Sequence, residues 1–186
     1  LGIKPDKKNL LFFGLIRDYK GLDLLIEAMG HLDDGYRLVI AGESYGSFDK
    51  YQEQIEKLIA KNPSLAERMV IFNRYIDDDE VPAFFSASDL CVLPYKSATQ
   101  SGITAISLHF EIPVVATRTG GLEESIEEPG IGIIADEISA EGIVRAIESY
   151  FTHPDKSLFT ENIRKAKETM SWTSFAKALV DFCKSL

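Results

Sequence analysis

The chain reads as an α/β protein, a parallel sheet of about six strands covered by helices on both faces and followed by C-terminal helices. Three observations predict it: short apolar runs closed by glycine or proline, helical periodicity between them, and connections mostly too long for hairpins.

The run Asn9-Leu10-Leu11-Phe12-Phe13, ended by Gly14, has the continuous apolar character of a strand buried on both faces. Leu22, Leu25, Ile26 and Met29 fall at offsets 0, 3, 4 and 7, which places one stripe on a helix ending near Gly30. Tyr36 to Ala41 is a second strand stopped by Gly42. After a polar loop from Glu43 to Phe48, Tyr51, Ile55, Leu58 and Ile59 mark a helix through Lys61, before Pro63. Val70-Ile71-Phe72 is a third strand, and Asp77 to Asp79 supply cap-type residues for a helix through Ala83, Phe84 and Ala87. Leu90 to Leu93, closed by Pro94, is the fourth strand; a helix over Ile103 to Phe110 leads to the fifth, Pro113 to Ala116. A Gly120-Gly121 turn opens a short helix, and Gly132 to Ala135 is the sixth strand. From Ser139 the pattern is helical, with stripes through Ile143, Ile147 and Phe151 and through Phe175, Leu179, Phe182 and Leu186, separated at Pro154. Right-handed crossovers between parallel strands make this a Rossmann-like three-layer sheet. Residues 1–8 read as the end of a linker, 9–151 as the Rossmann-like core and 152–186 as C-terminal helices of a single domain.

The 186 residues suffice for one well-buried domain, and 45% apolar with 26% charged residues exclude disordered and fibrous classes. No stretch approaches a spanning helix, and the first residues lack a signal peptide's apolar core. The chain begins at Leu1 rather than methionine, which suggests an excerpt. A net charge of −9 without a basic stripe argues against nucleic acid as partner, so an anionic ligand requires a local site. Cys91 and Cys183 are too few and too far apart for a disulfide framework or a zinc motif, which fits a reducing, cytoplasmic setting.

In such a sheet ligands bind beyond the carboxyl ends of the strands, where helix N-termini favour anions. Gly14 to Tyr19 does not match the dinucleotide fingerprint, and no Gly-Lys pair occurs for a P-loop. Gly14 and Leu15 stand where a phosphoacceptor receiver places aspartates. Instead, Arg17 and Lys20 come after the first strand, with Gly21 at the mouth of a helix. A planar fork, a point charge and helix-entry amides can clamp a diphosphate, although solvated loop cations fit the same residues equally well. A second loop, Ser97 to Thr104, runs small hydroxylated residues from a strand end into a helix, fit for phosphate or sugar and equally for an ordinary N-capped loop. A third, Thr119-Gly120-Gly121-Leu122-Glu123-Glu124, brings backbone close to a ligand, while capping alone accounts for its glutamates. His109, beside Phe110 on a helix, reads as a packing or surface residue, as do His31 and His153 at helix ends. Trp172 and the stripe through Phe175 and Phe182 read as core.

In this order and spacing, Phe12-Phe13-Gly14 with Lys20-Gly21-Leu22-Asp23-Leu24-Leu25-Ile26-Glu27-Ala28, Leu38-Val39-Ile40-Ala41-Gly42, Ser88-Asp89-Leu90-Cys91-Val92-Leu93-Pro94, and Ile112-Pro113-Val114-Val115-Ala116-Thr117 with Gly120-Gly121 and Glu124 resemble the C-terminal half of a GT-B glycosyltransferase of family 4. The resemblance covers nearly the whole chain and implies a retaining, metal-independent transfer without cofactor, from a nucleoside-diphosphate sugar. It implies that Lys20 and an arginine bind the diphosphate and take up charge on the leaving group. The family's arginine follows the glycine directly; this chain has Leu15 there, and Arg17 is the candidate substitute. Asn73-Arg74-Tyr75-Ile76 lies against the nucleobase by the same resemblance. The family's two glutamates spaced E-x7-E correspond to Ala98 and Ile106, so Thr99, Gln100, Ser101 and Thr104, with Gly102 and Ile103, are candidates to take over their contacts.

The resemblance further implies a partner, the acceptor-binding half, that lies outside these residues. Alone, the chain is expected to bind donor weakly and to transfer nothing. Acceptors of the saccharide or lipid type, and peripheral contact with the inner membrane face through the parent protein, complete the expectation. Two competitors stay open: a non-catalytic binding or scaffold module with a degenerate sugar site, and a GT-B sugar-phosphate epimerase or phosphorylase.

Overall fold

The structure is a computed structural model that describes residues 3, 5–169 and 172–185. Leu1, Gly2, Lys4 and Leu186 of the sequence expectations, and the Trp172 side chain, lie outside the described residues.

Lys8–Phe13 forms β1 and leads through a 3-10 turn at Asp18–Lys20 into α1, Leu22–Met29. Then come β2 (Tyr36–Ala41), α2 (Asp49–Lys61), α3 (Leu65–Arg68), β3 (Met69–Phe72), α4 (Val81–Ser86), β4 (Leu90–Leu93), α5 (Gly102–His109) and β5 (Val114–Thr117). The chain continues with α6 (Leu122–Ile126), β6 (Gly132–Ala135), α7 (Ala140–Thr152), α8 (Ser157–Thr169) and α9 (Trp172–Ser185). The strands form one six-stranded sheet in the order β3-β2-β1-β4-β5-β6 with every neighbouring pair parallel. The path steps outward from β1 to β3, then returns to place β4 on the other side of β1. Helices entering from β1 and β4 therefore diverge to opposite faces and leave a crevice at the carboxyl ends.

Although the strands read as unbroken apolar runs, their side chains divide with the two-residue period. Leu10, Phe12, Leu38, Ile40, Leu90 and Val92 pack with α1 and α7, including Leu25, Ile26, Ile143 and Ile147. On the other face, Leu11, Phe13, Val39 and Ala41 meet Phe84 and Phe85 of α4, while Cys91, Leu93, Val114 and Ala116 meet Leu122, Ile126 and Ile163. Burial on both faces is what made the runs continuous.

Several expectations need correction. Asp77 to Asp79 form a turn rather than a cap; Glu80 precedes α4, its carboxylate drawn instead to Arg74 and to the Asp77 N–H. Pro113 stays outside β5 because it has no N–H to give, although its carbonyl accepts from Cys91. The stripe on α9 is not core: Phe175, Leu179 and Phe182 are each more than half exposed. Its main packing contact is with α8. The 3-10 turn and α3 are too short to carry a periodic signal.

Candidate functional site

Lys20 sits where β1 hands the chain to α1. It is only 8% exposed, and among the described residues its ammonium has neither an ion-pair partner nor a hydrogen bond. Gly14 makes the space: its φ of +94° suits glycine, and a Cβ there would stand 3.3 Å from Lys20 Nζ and 3.1 Å from Ile103 Cδ1. Burial, and then the nearby Arg17 charge, hold the Lys20 amine below its ordinary value. Cys91 beneath it offers no counter-ion, since burial pushes that thiol up to about 12 and keeps it neutral. The nearest aromatic face is Tyr95, 5.9 Å from Lys20 Nζ.

Arg17 is exposed, with its guanidinium carbon 4.8 Å from the centre of the Tyr45 ring. The two cations flank the entrance to α1, a local positive site on a protein of charge −9.

Beside them, a cavity of about 360 Å³ opens at the ends of the first three strands, lined by Phe13, Gly14, Leu15, Gly42, Glu43, Tyr75 and Ile76. Its far wall is braced by side chains that sequence pattern alone aims at a ligand. Asn73 Oδ1 accepts from the Ser44 N–H at 3.0 Å, tying the β2 and β3 loops together. Arg74 grips both oxygens of Glu80 at 2.6 Å and donates to the Tyr75 carbonyl at 2.9 Å. Ile76 is buried against α4, whereas Tyr75 is 63% exposed and free to stack.

Opposite Lys20, α5 begins at Ser101, whose hydroxyl accepts from the Ile103 N–H at 3.2 Å and lies 3.1 Å from Tyr95 Oη. The Gly102 N–H has no acceptor among the described residues, and nothing stands within 4 Å of where a Gly102 side chain would begin. Thr104 is 6% exposed, yet its hydroxyl has no partner among the described residues; the buried Thr119 hydroxyl shares that state, while the Ser107 hydroxyl lies against the Cys91 thiol. Thr99 and Gln100 are exposed at the rim. At Gly120, with φ of +51°, a Cβ would lie 1.7 Å from the Ala98 carbonyl, so only glycine lets the β5 loop close on the β4 loop. The Gly121 N–H seals that contact on the Thr99 carbonyl at 2.9 Å. Of the two glutamates in the next turn, Glu123 pairs with Arg118, and Glu124 stays exposed without an ion pair among the described residues.

The structure thus gathers Arg17, Lys20, Gly14 and Ile103 at one point and sets Thr99 to Thr104 and Gly120-Gly121 on one rim. Asn73 and Arg74 it assigns to bracing. Phe13, Gly42, Glu43 and Tyr45 also form the site; the stretch Gly42 to Ser47 was legible as one of the strand ends where open sheets take ligands, although no role was assigned within it, and Phe13 reads only as a strand residue. Among the described residues, no three His, Cys, Asp or Glu side chains assemble as a metal-ligand set. No helix among them is long and apolar enough to cross a membrane.

Fold and site together define a doubly wound α/β domain with a cationic, partly buried crevice at its carboxyl edge. The chain belongs to the group 1 glycosyl transferases, whose family model matches residues 1–169. A curated relative is the lipopolysaccharide core biosynthesis mannosyltransferase LpsB of Rhizobium meliloti (strain 1021), 30% identical over 148 residues, covering 75% of this chain and 41% of LpsB. The chain spans less than half the length of such relatives. Among solved structures, HepE of Anabaena in complex with UDP-glucose superposes with a TM-score of 0.78 at 16% identity, over 97% of this chain and 49% of HepE. The C-terminal domain of the group 1 protein LpcC from Francisella tularensis does so with a TM-score of 0.70 at 23% identity, over 89% of this chain and 87% of that one. The Rossmann-like fold is that of GT-B glycosyltransferases.

Proposed function

We propose that these residues are the donor-binding half of a retaining glycosyltransferase that moves a sugar from a nucleoside-diphosphate sugar to a saccharide or lipid acceptor. The observation that carries this reading is Lys20: a largely buried lysine without an anion is costly to hold, and the protein holds it where a helix entry and Arg17 add to the same positive field. A diphosphate supplies the missing charge. As the bond from the sugar's anomeric carbon to the diphosphate breaks, negative charge grows on the leaving oxygen, and Lys20 and Arg17 stabilise it more than they stabilise the ground state. The Gly102 N–H joins them at the start of α5.

The nucleobase occupies the cavity beside Gly14, stacked toward Tyr75 and read by backbone groups near Ile76. Thr99, Gln100, Ser101 and Thr104 take the sugar and ribose contacts in place of glutamates at Ala98 and Ile106, with Gly120, Gly121 and Glu124 closing the sugar side. The orphaned Thr104 hydroxyl supports this assignment. That HepE was solved with UDP-glucose supports a nucleotide-sugar donor, and LpsB's part in lipopolysaccharide core synthesis supports a glycolipid or polysaccharide product made at the cytoplasmic side. The acceptor and its pocket belong to a partner half, and positive charge comes from side chains rather than a metal.

Calorimetric titration with UDP, GDP and ADP and their sugar conjugates, with and without EDTA, tests this. One diphosphate binds, EDTA changes nothing, and Lys20→Ala or Arg17→Ala each weakens binding by about 1.5 to 3 kcal/mol. Affinity untouched by either substitution would remove the diphosphate clamp. A second reading, a binding module without catalysis, draws on Ile106, which packs toward the Phe84–Phe85 cluster and presents no acceptor to a ribose. Product analysis of the full-length parent separates the two.

A further inference from the structure

Beyond the last β1–β2 pair, Phe13 with Ala41, the two chains continue side by side into their loops. Ile16 donates its N–H to the Glu43 carbonyl at 2.8 Å, and its own carbonyl accepts from the Tyr45 N–H at 3.0 Å, an isolated parallel bridge centred on Ile16 and Ser44. Ile16 is buried at 1% exposure, so the next residue, Arg17, turns the other way and comes beside Tyr45. The Tyr45 segment is held on its far side as well, by Asn73 Oδ1 on the Ser44 N–H, while Ser44 Oγ donates to the Gly46 carbonyl at 3.1 Å.

Tyr45 is 76% exposed, so its ring gains little from burial, and the ring's contact is the Arg17 guanidinium at 4.8 Å. Arg17 has no carboxylate partner among the described residues, which sets it apart from Arg74, Arg118, Arg145 and Arg164. The difference matters chemically. A carboxylate would occupy the guanidinium's in-plane N–H donors and cancel its charge; an aromatic face holds the cation from one side and leaves that edge available.

We propose that Tyr45 is the positioning residue for Arg17, its ring holding the guanidinium beside Lys20 with the N–H edge turned to the diphosphate. This rests on the reading that Arg17 binds that diphosphate. It answers a geometric need of this chain: Arg17 stands three residues beyond Gly14 on an exposed turn, and a long side chain there requires an outside support to be pre-organised.

The test is a double-mutant cycle on the 186-residue chain, with UDP, GDP and ADP as probes in calorimetry, using Tyr45→Ala, Tyr45→Phe, Arg17→Ala and Arg17→Ala/Tyr45→Ala. Tyr45→Ala is expected to weaken the bound diphosphate roughly two- to five-fold, the size of an exposed cation–ring contact. Tyr45→Phe keeps wild-type affinity, and the double variant binds like Arg17→Ala alone. If Arg17→Ala weakens binding while Tyr45→Ala does not, Tyr45 positions nothing and the diphosphate reading survives. Additive losses overturn the inference too, since Tyr45 then touches the nucleotide itself. Should Arg17→Ala bind like wild type, or none of the three probes bind at millimolar concentration, the diphosphate reading falls and the inference with it.

Discussion

Lys20 is the residue at which stability and function pull apart. Its side chain is mostly buried with no anion to offset the desolvation, so replacing it with the similarly shaped, uncharged methionine is expected to stabilise the protein by about 1 kcal/mol or less. Thermal unfolding of Lys20→Met should shift upward by roughly 2 to 4 °C per kcal/mol, with loss of diphosphate binding; a lowered midpoint would mean the charge is satisfied in a way the structure does not show. The pH dependence has a defined sign. Because the folded-state value lies below the ordinary 10.5, the unfolded chain binds more protons in the window between the two, and stability rises with pH there. Lys20→Met should abolish that rise. The spacing of Arg17 and Lys20 after a strand was legible in the sequence, but the missing counter-ion was not, because it depends on what the sheet places around residue 20. Asn73 and Arg74 show the converse: their place in the loop was legible, while their commitment to Ser44 and Glu80 is set by contacts that spacing does not encode.

Among the elements, strands announced themselves because both faces are buried, and β2, β4 and β6 run as the apolar pattern marks them. The single turn α3 gave no such signal, yet it carries Arg68, 1% exposed and fully engaged. The Arg68 guanidinium donates to the carbonyls of Tyr36 and Leu32, both at 2.9 Å, and to Asp34 at 3.0 Å, pinning α3 to the entry of β2. Arg68→Ala strands two carbonyls and leaves a void, and is expected to cost about 2 to 4 kcal/mol in urea unfolding. Nucleotide affinity should stay unchanged, since α3 lies at the opposite end of β3 from the site. A loss below about 1 kcal/mol would show that water replaces the arginine's contacts.

At the scale of the molecule, the order β3-β2-β1-β4-β5-β6 decides where function goes. Apolar runs and long connections establish that strands exist and run parallel, and hence that a ligand sits at their carboxyl ends, but not which neighbour each strand takes; the pairing of β1 with β4 comes from the structure. Once that pairing forms, residues near 14, 103 and 20 meet although the chain separates them. It also seals Cys91 at the centre of the sheet, completely buried with its thiol pushed up to about 12, while Cys183 lies exposed on α9. The consequence is a built-in gauge of folding. A thiol reagent should count one reactive sulfur in the native protein and two once the helices over that face of the sheet come away, so the second count reports uncovering of the core beneath α5, α6 and α8 without any added label; two fast-reacting thiols in native buffer would mean that this layer breathes.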